Sequence, residues 1–569
     1  MDTVAVVPDE ELGEFLAEVP LFKGLPPHLL AHVSARGRPV SLPGRSWLYR
    51  QGESGDTLYV VREGRLELVR EDPPPAETLG SIGPGEAVGE LGLLTDAARA
   101  LSVRSIRDCE LLALDREDLV GLLGYSPDFA IGLLRVLGDR VRTVAGNRAR
   151  RGRPASVLAL IGLDSGLPLP ELADGLVATL SRRRTAVVLE AVAGEPSEEF
   201  GHRLEAAEKS HDHVVLLAGN DPSEAAWRSF GVRQADRVLA VVRPGSPSDG
   251  LDATDLSGSE LLVWSRSART ADLHRWLACL QPRAHHFIDP ADPALGVARA
   301  ARRITEQSPG LVLSAGGARA LCHVGVVSEL LDQGLALDRL GGSEVGALVG
   351  AMFALGFPPG EVARRCGEEL VRRRPFNDYT APRTALLRGR KFNEMLVRIF
   401  GSVDIEQLPM DYFCVSADLE SAAMVVHRRG NLAQAVAASM ALPGILPPVL
   451  DDGRVLVDGS VLSGLPIRVM SDASEGPVVG VDAARRRWDT RESRRRSVPN
   501  IIELIARSSM LGGSQELDLD RGAARLVIEP SLPEVGQFGF AHFDALVAAG
   551  RSASRTVAGE LEDLKWGEG

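Results

Sequence analysis

Residues 337–353 read Leu-Asp-Arg-Leu-Gly-Gly-Ser-Glu-Val-Gly-Ala-Leu-Val-Gly-Ala-Met-Phe. A short apolar strand runs into a glycine-rich turn, and a helix of small residues follows. This is the setting of a nucleophile elbow, G-x-S-x-G, in which a sharp turn exposes a catalytic oxygen. Gly342 and Gly346 are the glycines at that spacing that open the helix, and Glu344 stands between them where serine is expected. Ser343 lies one position early and has Val345, not glycine, two positions on. The reading therefore predicts a strand–turn–helix unit whose elbow carries a carboxylate. The apolar run from Val345 to Phe357 spans 13 residues. It is too short to cross a bilayer and reads as a buried helix.

Two further strings lie on either side. Upstream is Leu311-Val-Leu-Ser-Ala-Gly-Gly-Ala-Arg-Ala-Leu-Cys-His-Val-Gly325; downstream, Ala441-Leu-Pro-Gly-Ile-Leu-Pro-Pro448 precedes Leu456-Val-Asp-Gly-Ser460. The first resembles the oxyanion loop of patatin-like phospholipases, G-G-G-x-R-G-x-x-H-x-G, and the second their D-G-G/A motif. The interval from His323 to Glu344 fits that family's spacing without a gap, so Glu344 is a replacement and not a shifted frame. The resemblance implies an α/β/α hydrolase fold in which a serine attacks an acyl ester while an aspartate acts as base. Asp458 takes the aspartate position and Glu344 the nucleophile position. The oxyanion loop maps onto Gly316, Gly317, Ala318 and Arg319, and backbone donors in such loops are commonly worth roughly 3 kcal/mol each. Glycines let such a loop bend tightly against a substrate. Here Ala315 and Ala320 replace two of them, so both the nucleophile and the loop are altered. His323 is expected to be structural.

A third string, Gly83-Pro-Gly-Glu-Ala-Val-Gly-Glu-Leu-Gly-Leu-Leu-Thr-Asp-Ala-Ala-Arg-Ala-Leu-Ser-Val103, resembles the phosphate-binding cassette of cyclic nucleotide-binding domains. The resemblance implies a site formed by Gly89, Glu90, Leu91, Arg99 and Ala100 that takes cAMP or cGMP as a regulatory ligand. A carboxylate suits a ribose hydroxyl, and a guanidinium makes charge-assisted bonds to a cyclic phosphate. Ala98 replaces the usual proline, and Ala100 carries no hydroxyl, which leans towards cAMP.

Around these motifs the chain of 569 residues is too long for one core and suggests about three domains. In residues 1–150, short β-like runs between Gly/Pro/Asp clusters predict an antiparallel jelly roll. In residues 151–306, five apolar runs alternate with helical segments, a βαβ pattern that predicts a mostly parallel sheet. Residues 307–569 hold the patatin-like motifs. This order resembles neuropathy target esterase and its bacterial relatives, and Gln234–Leu239 and Ala300–Thr305 fit that likeness. The expected fold class is thus multidomain α/β with an N-terminal β jelly roll and a C-terminal patatin-like α/β/α domain.

Composition narrows the functions. A net charge of −13 argues against nucleic-acid binding as the main task, and against a helix-turn-helix transcription regulator, the third reading of such a sensor. Five widely spread cysteines without a CxxC pair predict neither disulfides nor a metal site and fit a reducing cytoplasm. The start carries no signal-peptide pattern. No phosphate-binding G-x-x-x-x-G-K-[ST] occurs in 155–305, and His211, His213, His285 and His286 have no partners at ligand spacing. Basic stretches at 148–154 and 485–496 read as a linker and a solvated loop, the second with a possible resting place on the inner face of a membrane.

Three chemistries follow from the elbow. The site is non-hydrolytic and serves lipid binding or regulation; or Ser343 or another serine rescues (lyso)phospholipase activity through a shifted turn; or Glu344 is itself a carboxylate nucleophile. In each case Glu344 should lie close to Asp458, so that one carboxyl retains its proton and Arg319 offsets the remaining charge.

Overall fold

Runs of β-branched and leucine residues build three sheet systems, seen in a computed structural model that describes residues 10–72, 77–90, 98–126, 129–134, 156–245, 247, 256–267, 270–483, 504–505, 508 and 520–564. The basic stretches at 148–154 and 485–496 lie outside the described residues. The chain divides into two compact units. The first comprises Met1–Arg243, Pro247–Trp264 and Trp276–His285; the second comprises Pro244–Ser246, Ser265–Arg275 and His286–Gly569.

The first unit opens with two four-stranded antiparallel sheets. One runs in the order Arg38–Leu42, Cys109–Asp115, Thr57–Glu63, Ala87–Val88, and the other Trp47–Tyr49, Ser102–Ser105, Leu66–Arg70, Glu77–Ile82. Their inward faces bury Leu58, Val60, Leu66, Val103 and Leu111, the alternation expected of a sandwich with one face to solvent. A six-stranded sheet follows, ordered Ala186–Glu190, His213–Ala218, Val157–Gly162, Arg237–Val242, Glu260–Trp264, Ala284–Ile288. Its first five strands pair in parallel. Val157–Gly162 and His213–Ala218 are buried at every residue, as a sheet covered by helices on both faces requires. His285 and His286, read from sequence as isolated histidines, belong to the last strand.

In the second unit an eight-stranded sheet has the order Val449–Asp451, Arg454–Asp458, Asp411–Asp418, Arg339–Gly342, Gly310–Leu313, Val478–Val481, Leu526–Ile528, with Met424–His427 paired to Asp411–Asp418. The five strands from Asp411–Asp418 to Leu526–Ile528 are mutually parallel. Gly310–Leu313 lies between Arg339–Gly342 on one side and Val478–Val481 on the other, so the strand order reverses there. Such a switch point opens a crevice beyond the carboxyl ends of the strands, where α/β sheets place their ligands. Behind the crevice, the helix Val345–Ala354 is buried at all ten positions, which explains its lack of a polar face.

The helix Pro293–Ile304 falls in the second unit, earlier than the break at 306/307 that composition suggests. Its Arg302 is buried and grips Asp338 with two bonds of 2.6 Å. This contact fastens the helix just ahead of the elbow strand.

Candidate functional site

The elbow is built by close backbone approach. A Cβ on Gly346 would stand 2.3 Å from the Leu313 carbonyl oxygen and 2.5 Å from that of Ser314. Glycine there lets the helix start press onto the end of the central strand. The turn forces Glu344 to φ +54° and ψ −124°, a conformation that non-glycine residues adopt only under strain and mostly at functional sites. Its N–H donates to Ser439 Oγ at 3.1 Å, which helps to hold the turn.

The Glu344 side chain turns into the loop that follows the central strand. Oε2 accepts from the Gly316 N–H at 2.7 Å and the Gly317 N–H at 2.8 Å. Oε1 accepts from Gln537 Nε2 at 3.2 Å. Two backbone donors converging on one oxygen form an arrangement that can stabilise an oxyanion. Here the oxygen they hold belongs to the protein itself.

Several expectations change at this point. Ala315 and Ala320 do not prevent the loop from closing: both are buried, and the donors at 316 and 317 still converge. Ala318 is not part of the donor set, because its N–H is taken by the Gln537 carbonyl at 2.8 Å. Arg319 has its Nε 3.4 Å from the Gly316 carbonyl and acts on Glu344 through its charge. Gln537 has no sequence signal. It packs so closely that a Cβ on Gly317, at φ +57°, would lie 2.5 Å from its carbonyl oxygen.

Asp458 ends the strand Arg454–Asp458 and is fully buried. Its Oδ1 accepts from the Ser460 N–H at 2.8 Å, and its Oδ2 has no hydrogen-bond partner among the described residues. Burial, and then the charge of Glu344, push the Asp458 carboxyl well above the usual carboxylate range. Burial also raises Glu344, against the Gly317 and Gly316 N–H groups, Arg319 and Gln537. Since those four favour charge on Glu344, a charge on the pair falls on Glu344 first and Asp458 is the carboxyl that keeps its proton longer.

This has a pH signature. Unfolded, an aspartate ionises near pH 3.9. Above that pH the folded state binds one proton more than the unfolded state, so stability falls as pH rises until the folded pKa is passed. Asp458→Asn keeps the shape of the protonated acid and does not titrate. Its stability should gain on the wild type as pH is raised above 4, by about 1.4 kcal/mol for each pH unit until the folded Asp458 pKa is passed. A gap that is flat with pH would mean that Asp458 is ionised in the fold.

The other polar groups have structural roles. His323 Nε2 lies 2.8 Å from the Ser314 carbonyl, and burial lowers its pKa to about 4. A neutral ring at that carbonyl braces the loop. Ser314 Oγ accepts from the Ala483 N–H and donates to the Ala315 carbonyl. Ser343 is fully buried, and its Oγ has no partner among the described residues, so no base activates it.

In the sensor motif, Glu90 and Arg99 are both buried. Arg99 donates to the carbonyls of Gly89 at 3.2 Å and Thr57 at 2.9 Å, and its guanidinium lies 4.1 Å from the Tyr49 ring centroid. Its Nε has no hydrogen-bond partner among the described residues. Ala100 is exposed, and Leu91 lies outside the described residues.

The comparisons with known proteins agree with both motifs. A family profile for patatin-like phospholipase matches residues 311–471, and one for the cyclic nucleotide-binding domain matches residues 39–125. An uncharacterized NTE family protein of Mycobacterium tuberculosis (strain CDC 1551 / Oshkosh) is 31% identical over 96% of this chain and 97% of its own length. Lysophospholipase NTE1 of Coccidioides immitis (strain RS) is 24% identical over 94% of this chain and 41% of its own. Among solved structures, the N-terminal domain of a transcriptional regulator from Streptomyces coelicolor A3(2) is 34% identical, covering 23% of this chain and 93% of that one. Its TM-score of 0.21 is too low to carry weight.

Proposed function

The chain belongs to the NTE family, with a cyclic nucleotide-binding domain and a patatin-like phospholipase domain, and from that premise we propose that its patatin-like domain works without ester hydrolysis, as a lipid-binding module under cyclic-nucleotide control. One observation carries the reading: the Glu344 carboxylate occupies the two backbone donors that would otherwise receive a substrate oxyanion. An ester carbonyl cannot polarise against N–H groups that are already bonded to a carboxylate. The negative charge of Glu344 also repels the developing negative charge of a tetrahedral intermediate.

The same geometry weighs against the two hydrolytic readings. As a nucleophile, Glu344 would have to leave the donors that its own tetrahedral adduct then needs. Ser343 would have to leave a buried position with no base. The name lysophospholipase, carried by NTE1 of Coccidioides immitis, supports a lysophospholipid as the lipid class. Among the described residues no helix is long and apolar enough to cross a membrane.

For the sensor, the buried Glu90 and Arg99 supply the carboxylate and guanidinium that a cyclic nucleotide needs. The missing hydroxyl at Ala100 favours cAMP. Isothermal titration of the full chain should show saturable binding of cAMP, with cGMP weaker, while lysophosphatidylcholine incubated with either complex stays intact. Fatty-acid release above a heat-inactivated control would overturn the non-hydrolytic reading, and absence of binding by both nucleotides would overturn the sensor.

A further inference from the structure

Within the first unit, three carboxylates fasten the β sandwich to the six-stranded sheet. Asp236, just ahead of the strand Arg237–Val242, accepts from the Ser156 N–H and Oγ and the Val157 N–H at 2.9–3.1 Å. Arg65 and Arg107 of the sandwich approach its other oxygen at 3.6 and 3.9 Å. Burial alone would raise the Asp236 pKa, yet those two guanidinium groups and the N–H donors hold it below the ordinary carboxylate value. Asp108 accepts from the Gly44 N–H at 2.6 Å and from Gln234 Nε2 at 2.8 Å. A Cβ on Gly44 would stand 2.6 Å from the Arg233 carbonyl, so the two layers meet backbone to backbone.

The third carboxylate differs in where it leads. Glu67 lies on the strand Leu66–Arg70 and is buried. Its register partner is Arg104, on the strand that leaves the nucleotide cassette five residues after Arg99. Arg104 Nε donates to Glu67 Oε1 at 2.6 Å, and Arg283 from the α/β layer donates to Oε2 at 3.0 Å. One carboxylate therefore joins the cassette strand to the segment that enters Ala284–Ile288. Within the sandwich, the cassette is also tied to the turn that follows the strand Trp47–Tyr49. The Arg99 N–H donates to the Glu53 carbonyl, the Gly52 N–H to the Arg99 carbonyl, and the Gln51 N–H to Ser102 Oγ. A shift of Arg99 towards a bound phosphate would pull on the strand that carries Arg104.

We propose that Glu67 relays occupancy of the nucleotide cassette to the α/β layer through Arg104 on one side and Arg283 on the other. The relay rests on the sensor reading given above. It requires two arrangements of one bonded triad with different stabilities in the free and liganded protein, because a ligand shifts an equilibrium only by its differential affinity for the two states. Glu67→Gln keeps an oxygen for one guanidinium and turns an NH2 on the other, so it cannot hold both links at once, whereas Asp108→Asn leaves both in place.

The test is hydrogen–deuterium exchange of the full chain with and without saturating cAMP, with binding measured in parallel by calorimetry. In the wild type, cAMP should change the exchange rate of residues 283–288 at least about threefold. Glu67→Gln should still bind cAMP and lose that remote change, and Asp108→Asn should retain it. Each protein is compared with its own unliganded form, so loss of stability alone does not mimic the result. Binding in the wild type without a change at 283–288 overturns the relay and leaves the sensor standing. A remote change that persists in Glu67→Gln overturns the role of that residue. If calorimetry shows no cAMP binding to the wild type, the sensor reading itself fails and the relay falls with it.

Discussion

Glu344→Ser is expected to give the site, proposed above to be non-hydrolytic, a slow esterase activity. The substitution removes the carboxylate from the Gly316 and Gly317 N–H groups and puts a hydroxyl on a turn already held at the strained elbow angle. Burial still raises the Asp458 pKa, but with the Glu344 charge gone the second cause of its rise is removed, which favours the ionised form that can take the serine proton. Lysophosphatidylcholine hydrolysis should rise at least about 100-fold over the wild type. That is well short of the roughly 10⁶-fold that an evolved serine nucleophile contributes, because a single substitution restores the hydroxyl without re-positioning its partners. Adding Asp458→Asn should return the rate to background. Thermal melts of each variant separate a folded but inactive protein from an unfolded one. A Glu344→Ser protein that folds, melts like the wild type and hydrolyses nothing would show that the donors are not a working oxyanion site.

The second large effect is on stability. Asp338→Ala should destabilise the second unit by about 3–5 kcal/mol, the usual range when one member of a buried ion pair is removed. Arg302 makes two bonds of 2.6 Å to Asp338, and both side chains are almost fully buried. Arg299 also lies 3.8 Å from the same carboxylate. The variant takes a bidentate carboxylate from one buried guanidinium and a nearby counter-charge from a second. In a unit of this size the midpoint of melting should drop on the order of 10 °C. The double replacement Arg302→Leu with Asp338→Leu should recover much of the loss, since an apolar pair of similar volume is often neutral or stabilising. A single variant that melts within 2–3 °C of the wild type would mean that the pair contributes little.

Much of this architecture was legible from local pattern. The five apolar runs between 157 and 264 appear as strands because β-branched residues bounded by turns leave few alternatives. The elbow was legible because it needs fixed residue types at fixed offsets, and Glu344 shows up as the one position that breaks them. Contacts between distant segments were not legible. Gln537 reaches the site from 193 residues beyond Glu344 and belongs to no motif. Ser439, the brace under the elbow N–H, sits at the end of an unremarkable alanine-rich helix. The Arg302–Asp338 pair looks in sequence like two surface charges, since composition does not reveal which charges will be buried together.

The loop shows the limit most clearly. Ala315 and Ala320 suggest a damaged oxyanion site, because glycines usually mark close backbone approach. The demanding position is Gly317, which retains its glycine against Gln537, and the two alanines occupy buried positions that accept a methyl group. The site differs from a serine hydrolase in what fills it. Side-chain direction decided that, and no spacing rule encodes it.

The central claim is that Glu344 fills the oxyanion site and no serine of the wild-type protein acts as nucleophile. The most direct measurement is intact-mass and peptide spectrometry after exposure to a fluorophosphonate probe, with Glu344→Ser treated in parallel. The account predicts no adduct on the wild type and a single adduct at position 344 of the variant. A stoichiometric adduct on Ser343, or on any other serine of the folded wild type, would contradict it.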